Sequence, residues 1–147
     1  MTAADERLER ARAAVGPRAE VEGWATVDLE RAQSALCNGG PAAEPVPDDE
    51  LLGARCRLLR RGPDAADQLV LLEPATEGRL AASLARHGEG RAVTYLLAGS
   101  DAAARLRAAG LLVSAEAGGP LGPSRLVLGG ERWGPHVIVV SGGTGSR

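Results

Sequence analysis

Residues 45–97, PVPDDELLGARCRLLRRGPDAADQLVLLEPATEGRLAASLARHGEGRAVTYLL, hold the pattern from which the fold can be predicted. Two apolar runs, at 53–59 and 68–74, flank the turn-forming residues RRGPDAAD, which predicts two antiparallel strands. EGRLAASLARHG predicts a helix with Thr76 as its N-cap and Gly88 as its stop, and the closing run AVTYLL predicts a further strand. Short strands beside a helix are typical of an α+β domain.

The residues before this stretch predict a helix, a strand and a second helix. Residues 4–15 have a helical pattern with too few large apolar residues for a buried stripe, so we expect a surface helix. The pattern over 21–29 is extended, and Asp28 stands where an N-cap would start a helix through LERAQSAL. Three prolines and two glycines in 38–49 predict a loop or an edge strand.

The residues after it predict one more helix and three strands. AAARLRAAG, at 102–110, follows Ser100-Asp101 and ends on a glycine, which favours a short helix. The strands are expected in LLVSAEA (111–117), SRLVLGG (124–130) and HVIVVSG (136–142).

An internal repeat organises these elements. VEGWATVDLERA (21–32) aligns without a gap on VTYLLAGSDAAA (93–104), and in both copies a strand enters a helix through an acidic or hydroxyl cap. We therefore expect two modules that share one core. The predicted boundaries are an N-terminal helical extension at 1–19 and one domain at 20–147, with module 1 at about 20–75, a linking helix at 76–88 and module 2 at about 89–142.

The composition restricts the classes of function. Of 147 residues, 44% are hydrophobic and only 2% aromatic, and the net charge of -2 gives no broad attraction to nucleic acid or an anionic membrane. No apolar run reaches the roughly 20 residues of a transmembrane helix, and the N-terminal segment is charged where a signal peptide would be apolar. All 17 basic residues are arginine, which excludes lysine chemistry. We expect a soluble cytoplasmic protein that binds neither nucleic acid nor membrane.

Several short motifs carry a family resemblance. LLEP (71–74) ends a predicted strand, GEG (88–90) opens the second module, AAARLRAAG supplies its helix, and Trp133-Gly134-Pro135 precedes the last strand. Their order over about 20–141 resembles the vicinal oxygen chelate superfamily, which includes glyoxalase I, methylmalonyl-CoA epimerase, extradiol dioxygenases and bleomycin-resistance proteins. The pattern is most similar to the epimerase. The resemblance implies paired βαβββ modules, a curled mixed sheet around a cavity, and a homodimer.

The resemblance also implies where a metal ion would bind. Members of this superfamily that use a metal take one His, Glu or Gln ligand from each of four strands. These positions fall on Val21, Val70, Val93 and Val139, and an aliphatic side chain has no donor atom. A shift of one residue in the alignment supplies no set of donors either. We therefore expect a cavity without a metal ion, and no cofactor.

Strand alternation predicts which residues face the cavity, because residues of equal parity share one face. Among them Tyr95, Gln68 and Ser141 are polar and could orient a ligand, while Trp133 stands in a turn at the expected cavity mouth. Trp24 and His136 have the opposite parity and are expected to face the helices. The predicted ligand-binding residues are Val21, Gln68, Val70, Val93, Tyr95, Trp133, Val139 and Ser141.

Three interpretations of function remain open at this point. The first is a metal-free binding protein of the bleomycin-resistance type, which sequesters or carries an apolar or amphipathic small molecule. The second is a metal-independent isomerase, lyase or cyclase acting on a natural-product or acyl intermediate, with Tyr95 and Glu22 as candidate acid–base residues. The third is a structural or regulatory subunit whose cavity is filled by its own side chains.

Overall fold

A computed structural model of the chain describes residues 2–37, 43–64 and 67–141. The helices in these residues are α1 (Ala3–Val15), α2 (Leu29–Cys37), α3 (Arg79–His87) and α4 (Ala102–Ala108). The strands are β1 (Ala19–Ala25), β2 (Glu44–Asp49), β3 (Ala54–Arg60), β4 (Gln68–Pro74), β5 (Gly90–Ala98), β6 (Ser124–Leu126) and β7 (His136–Ser141). Within these ranges, no helix combines the length and the apolar character needed to cross a membrane.

All seven strands form one mixed sheet in the order β2-β3-β4-β1-β5-β7-β6. The central strand β1 runs parallel to β4 and antiparallel to β5, and β5 in turn runs parallel to β7. The predicted antiparallel pairing of the runs at 53–59 and 68–74 is confirmed by the β3–β4 ladder. The α+β architecture, with a curled mixed sheet and an N-terminal helix, is therefore the predicted one.

The two edges of the sheet come together. Glu50, directly after β2, donates its backbone N–H to the Gly118 carbonyl at 3.0 Å. The Gly118 N–H donates to Glu50 Oε1 at 3.1 Å. These contacts join the β2 edge to the segment before β6, so the sheet curls around an inner face.

The two faces of the sheet carry different hydrophobic clusters. The inner face is covered by α3 and by the turn after β2. Its strand residues are Val21, Ala25, Ala54, Cys56, Leu58, Val70, Leu72, Ala92, Val93, Tyr95, Leu126, Ile138 and Val140. The outer face packs under α1 and α4 through Leu96, Val137 and Val139, and under α2 through Leu69 and Leu71. Trp24 packs with the α2 cluster, which confirms the expectation that it faces the helices.

Two expectations about the helices are wrong. α1 does bury a narrow stripe: Ala11 and Val15 are buried against α4 and β7, and Leu8 and Ala14 pack partly buried beside them. Thr76 is not the N-cap of α3, which begins after Gly78 without a side-chain cap. The Leu80 N–H donates instead to the Leu52 carbonyl at 3.0 Å, so the turn after β2 satisfies the start of this helix. Asp28, in contrast, accepts from the Arg31 N–H at the start of α2, as predicted for an N-cap.

The strand predicted at 111–117 is absent as a regular strand. Only isolated bridges join Val113 to Val127 and Ala117 to Ser124 in this part of the described chain. Ser114 explains the interruption, because its side-chain Oγ accepts the Leu126 N–H at 2.8 Å. A side chain therefore takes a bond that a strand would make through its backbone.

Candidate functional site

Most of the predicted ligand-binding residues lie on the inner face, but those predicted in β7 lie on the outer face. Val21, Val70, Val93 and Tyr95 belong to the inner-face cluster and are at most 1% exposed. Gln68 shares their parity at the half-buried start of β4.

The prediction for the last strand is wrong by one residue. In the parallel β5–β7 ladder, Tyr95 pairs with Ile138 and Leu96 pairs with Val139. Val139 therefore lies on the outer face with Leu96, and Ser141 shares its parity. His136 shares the parity of Ile138, and it lies near Arg79 of α3 and Arg7 of α1. Ile138 is thus the fourth inner-face position in place of Val139.

The residues at these four inner-face positions do not fit a metal ion. Val21, Val70, Val93 and Ile138 offer only aliphatic carbon where a divalent ion would need nitrogen or oxygen donors. Across the described ranges, no group of three or more His, Cys, Asp or Glu residues could hold a metal ion. Ile138 is aliphatic, as Val139 is, so the change of residue in β7 adds no nitrogen or oxygen atom that could bind a metal ion.

The inner face is packed down to its backbone. A Cβ atom added to Gly23 would lie 2.3 Å from Val93 Cγ1, 2.8 Å from Leu72 Cδ1 and 3.1 Å from Tyr95 Cε2. These side chains therefore lie directly over the glycine of the central strand. The region that the resemblance describes as a cavity is occupied by the protein's own side chains in this conformation.

One polar pair lies inside this apolar packing. The Tyr95 hydroxyl donates to Asp49 Oδ2 at 2.7 Å, and Asp49 Oδ1 accepts the Leu52 N–H at 2.9 Å. Both side chains are fully buried. Burial raises the pKa of Asp49, and burial together with the Asp49 charge raises the pKa of Tyr95. The bond links β2 at the sheet edge to β5 at the centre.

The two candidate acid–base residues do not meet. Val21 pairs with Tyr95 and Glu22 with Thr94, so Glu22 and Tyr95 point to opposite faces of the sheet. Glu22 is exposed and makes a 3.3 Å ion pair with Arg91. Because they stand on opposite faces, these two residues cannot act on the same substrate atom.

Trp133 lies beside α3, away from the inner-face cluster. The Ser83 hydroxyl donates to the Trp133 carbonyl at 2.8 Å, and the Arg86 guanidinium stands 4.7 Å from the centre of the indole. A hollow of about 230 Å³ opens here, lined by Ser83, His87, Arg91, Ala92, Trp133 and Pro135. It combines an aromatic and apolar wall with polar groups, as small-ligand sites do.

His136 is the buried polar residue next to this hollow. It is 6% exposed, and its Nε2 atom has no hydrogen-bond partner among the described residues. Burial first, and then the charges of Arg79 and Arg7, lower its pKa to about 4. The imidazole is therefore neutral at physiological pH.

A wider hollow, of about 400 Å³, lies between α2 and β3. Four of its lining residues are acidic: Asp28, Glu30, Asp48 and Glu73. Its two arginines are already engaged, Arg55 with Glu73 and Arg57 with Gln33. The charge of this hollow does not favour an anion.

Sequence patterns missed two sets of functional or structural carboxylates. Asp49 carries no local signal, since its partner Tyr95 is 46 positions away. Glu73 of LLEP and Glu89 of GEG converge on the start of α2: Glu73 accepts the Leu29 N–H at 3.1 Å, and Glu89 accepts the Val27 N–H at 2.9 Å. The Val27 bond is the first cause of a lowered pKa at Glu89. The two motifs therefore meet at one helix end.

No protein-family model and no curated protein matches the chain. Methylmalonyl-CoA epimerase from Mycobacterium tuberculosis is similar in structure, with a TM-score of 0.68 and 21% identity, over 82% of this chain and 85% of that one. A variant of methylmalonyl-CoA epimerase from Streptomyces coelicolor, in complex with 2-nitronate-propionyl-CoA, gives 0.67 and 23% over 85% and 94%.

A hypothetical protein from Bacillus halodurans is similar to the same extent, with a TM-score of 0.68 and 12% identity, over 88% of this chain and 99% of that one. At such identities the likeness concerns the fold. The chain therefore has the fold of these epimerase structures.

Proposed function

We propose that this chain is a small-molecule-binding protein that carries or sequesters an apolar or amphipathic ligand without a metal ion. The observation that carries the proposal is the aliphatic character of Val21, Val70 and Val93, where the resemblance places metal ligands. Ile138, on the inner face in place of the expected Val139, is aliphatic too. Each of these residues is aliphatic and at most 1% exposed. A divalent ion would find no donor there, so metal-assisted proton transfer at this place has no support.

The hollow beside Trp133 supports the binding part of the proposal. The inner face is filled, so a ligand in this conformation needs another place. The indole, Ala92 and Pro135 offer apolar contact, and Ser83 and Arg91 offer polar contact. The Streptomyces neighbour is in complex with 2-nitronate-propionyl-CoA, so short acyl thioesters and their free acids are the first class to screen.

The packed inner face also favours a second candidate, a structural subunit without a ligand. Leu72, Val93 and Tyr95 close over Gly23 as in an ordinary protein core. This candidate differs from the first in one measurable respect, because it predicts no ligand at all. The enzyme interpretation has less support, since Tyr95 and Glu22 stand on opposite faces.

A ligand screen in the presence of a chelator tests the proposed function. Purified protein, dialysed against EDTA, is screened by thermal denaturation and native mass spectrometry against acyl-CoA thioesters and small organic acids. We expect a ligand that raises the melting temperature by several degrees in EDTA, with no further gain from divalent ions. Trp133→Ala should weaken this effect, whereas Arg60→Gln, on the far strand β3, should not.

Two results would contradict the proposal. Binding that appears only after a divalent ion is added would support a metal site that the inner face does not provide. Absence of any bound molecule across the screen would favour the structural subunit.

A further inference from the structure

We infer that the hollow beside Trp133 selects compact organic carboxylates, with the apolar body against the indole and the carboxylate facing Arg91 and His87. This inference rests on the proposed function and adds the chemical class of the ligand. The hollow, at about 230 Å³, is smaller than the roughly 300–1,000 Å³ typical of drug-sized ligands, which limits the ligand to a compact molecule.

Two arginines stand at this hollow, and one of them, Arg91, is paired with Glu22. Arg91 and His87 line it, and Arg86 stands over the indole at 4.7 Å. None of its lining residues carries a carboxylate. Arg86 makes no ion pair with any residue in the described ranges. The carbonyl end of α3 also lies here, and the Arg86 guanidinium in its last turn offsets that negative end.

Arg91 is available to a ligand. Its ion pair with Glu22 is long, at 3.3 Å, and both side chains are more than half exposed, at 58% and 55%. Exposed pairs of this kind contribute only about 0–1 kcal/mol. A carboxylate in a partly closed hollow can therefore compete with Glu22 for the guanidinium.

His136 lies next to this hollow, in a separate and smaller one. Pro135 also lines a smaller hollow of about 40 Å³, together with Arg7, Arg79 and His136. Arg79 is half-buried and has no acidic partner in the described part of the chain. The buried Nε2 of His136 is left without a hydrogen bond. This smaller hollow therefore holds two guanidinium groups, the Glu131 carboxylate and a neutral, unpartnered imidazole on the other side of Pro135.

The test compares an acid with its neutral amide of nearly equal shape. Phenylacetate and phenylacetamide are titrated at pH 7.5 into a Trp24→Phe protein, in which Trp133 is the remaining tryptophan and reports binding by fluorescence. We expect phenylacetate to bind about tenfold more tightly, the value of one charge-assisted hydrogen bond of about 1.4 kcal/mol. Arg91→Gln should abolish this preference, and Arg60→Gln, which removes an equally exposed arginine of β3, should leave it.

Each other outcome overturns the inference. Equal affinity for the acid and the amide would show that the protein does not recognise the charge of the carboxylate, while the small-molecule-binding function itself would stand. A preference that survives Arg91→Gln would place the carboxylate elsewhere. No binding of either compound would refute the assigned class, and the chelator screen would then decide the function separately. Calorimetry on the native chain repeats the titration without the Trp24→Phe change.

Discussion

Asp49 is the residue whose chemistry departs most from its surroundings. It is a fully buried carboxyl group in an apolar interior, held by the Tyr95 hydroxyl and the Leu52 N–H. Desolvation raises its pKa above the ordinary value of 3.8. The folded protein therefore binds the Asp49 proton more tightly than the unfolded chain does.

The pH dependence of stability should reflect this residue. Because the folded pKa of Asp49 is raised, its contribution to stability is complete below pH 3.8 and is lost as the pH rises through the raised pKa. We expect Asp49→Asn to remove this component, so that the unfolding free energy falls less between acidic and neutral pH than in the native chain. Urea denaturation across that range measures it.

The matched control for this experiment is Asp48→Asn, which changes the exposed neighbour. It should keep the native pH dependence. If Asp49→Asn also keeps it, Asp49 is ionised freely in the folded protein and the buried pair is wrong.

Gly23 tests the packing of the inner face. A methyl group at this position would lie 2.3 Å from Val93 Cγ1, on the central strand where little can move. We expect Gly23→Ala to lower the unfolding free energy by about 1–3 kcal/mol. Gly99→Ala, at an exposed site where the nearest atom is a flexible Asp101 oxygen, should change it by less than about 0.5 kcal/mol. Equal stability of both variants would mean that the inner face has room for a ligand.

At the scale of elements, two carboxylates from distant motifs hold the start of α2. Glu89 accepts from the Thr26 hydroxyl at 2.8 Å and pairs with Arg31, and Glu73 accepts the Leu29 N–H. Negative charge at a helix N-terminus stabilises the helix. LLEP and GEG thus have a structural role here, in which each motif fixes one side of the same helix end.

Removal of one of these carboxylates should loosen α2. We expect Glu89→Ala to cost about 0.5–2 kcal/mol of unfolding free energy, the usual range for a lost helix cap. Hydrogen exchange should show the extra opening first in the amides of Val27 and Leu29. Glu77→Ala, an exposed glutamate before α3, serves as the control, and an equal loss in both variants would contradict the capping role.

Local sequence patterns predicted most helices and strands of the chain. They failed where a helix or strand depends on a hydrogen bond to a residue far away in the sequence. The Asp28 cap and the Gly88 stop follow from neighbouring residues and were predicted correctly. The start of α3 depends on the Leu52 carbonyl, and the break at Ser114 depends on Leu126. Neither contact leaves a signal in the residues around it.

The site was predicted in part for the same reason. The alternation of side chains along a strand predicted correctly that Val21, Val70 and Val93 lie on the inner face, because this alternation can be followed within each strand by itself. In β7 the face depends on the register against β5, which pairs Tyr95 with Ile138. The observed register of β7 against β5 differs from the expected one by one residue, so that Ile138 and not Val139 lies on the inner face. The residues of β7 by themselves do not indicate this pairing.

At the scale of the whole molecule, the sheet curls until its edges meet, and the space inside is filled. The contact between Glu50 and Gly118 joins the edges, and the Asp49–Tyr95 bond crosses the interior. This chain shares its fold with the epimerase structures, and its inner face is lined by aliphatic residues. Ligand binding is accordingly proposed at the Trp133 hollow.

Metal content is the measurement that tests this account most directly. The purified protein is incubated with manganese, cobalt, nickel or zinc, passed through gel filtration and analysed by mass spectrometry of the elements. With Val21, Val70, Val93 and Ile138 as the inner-face residues, only trace metal should remain with the chain. One tightly held ion per chain would contradict the aliphatic interior and restore a metal centre to this protein.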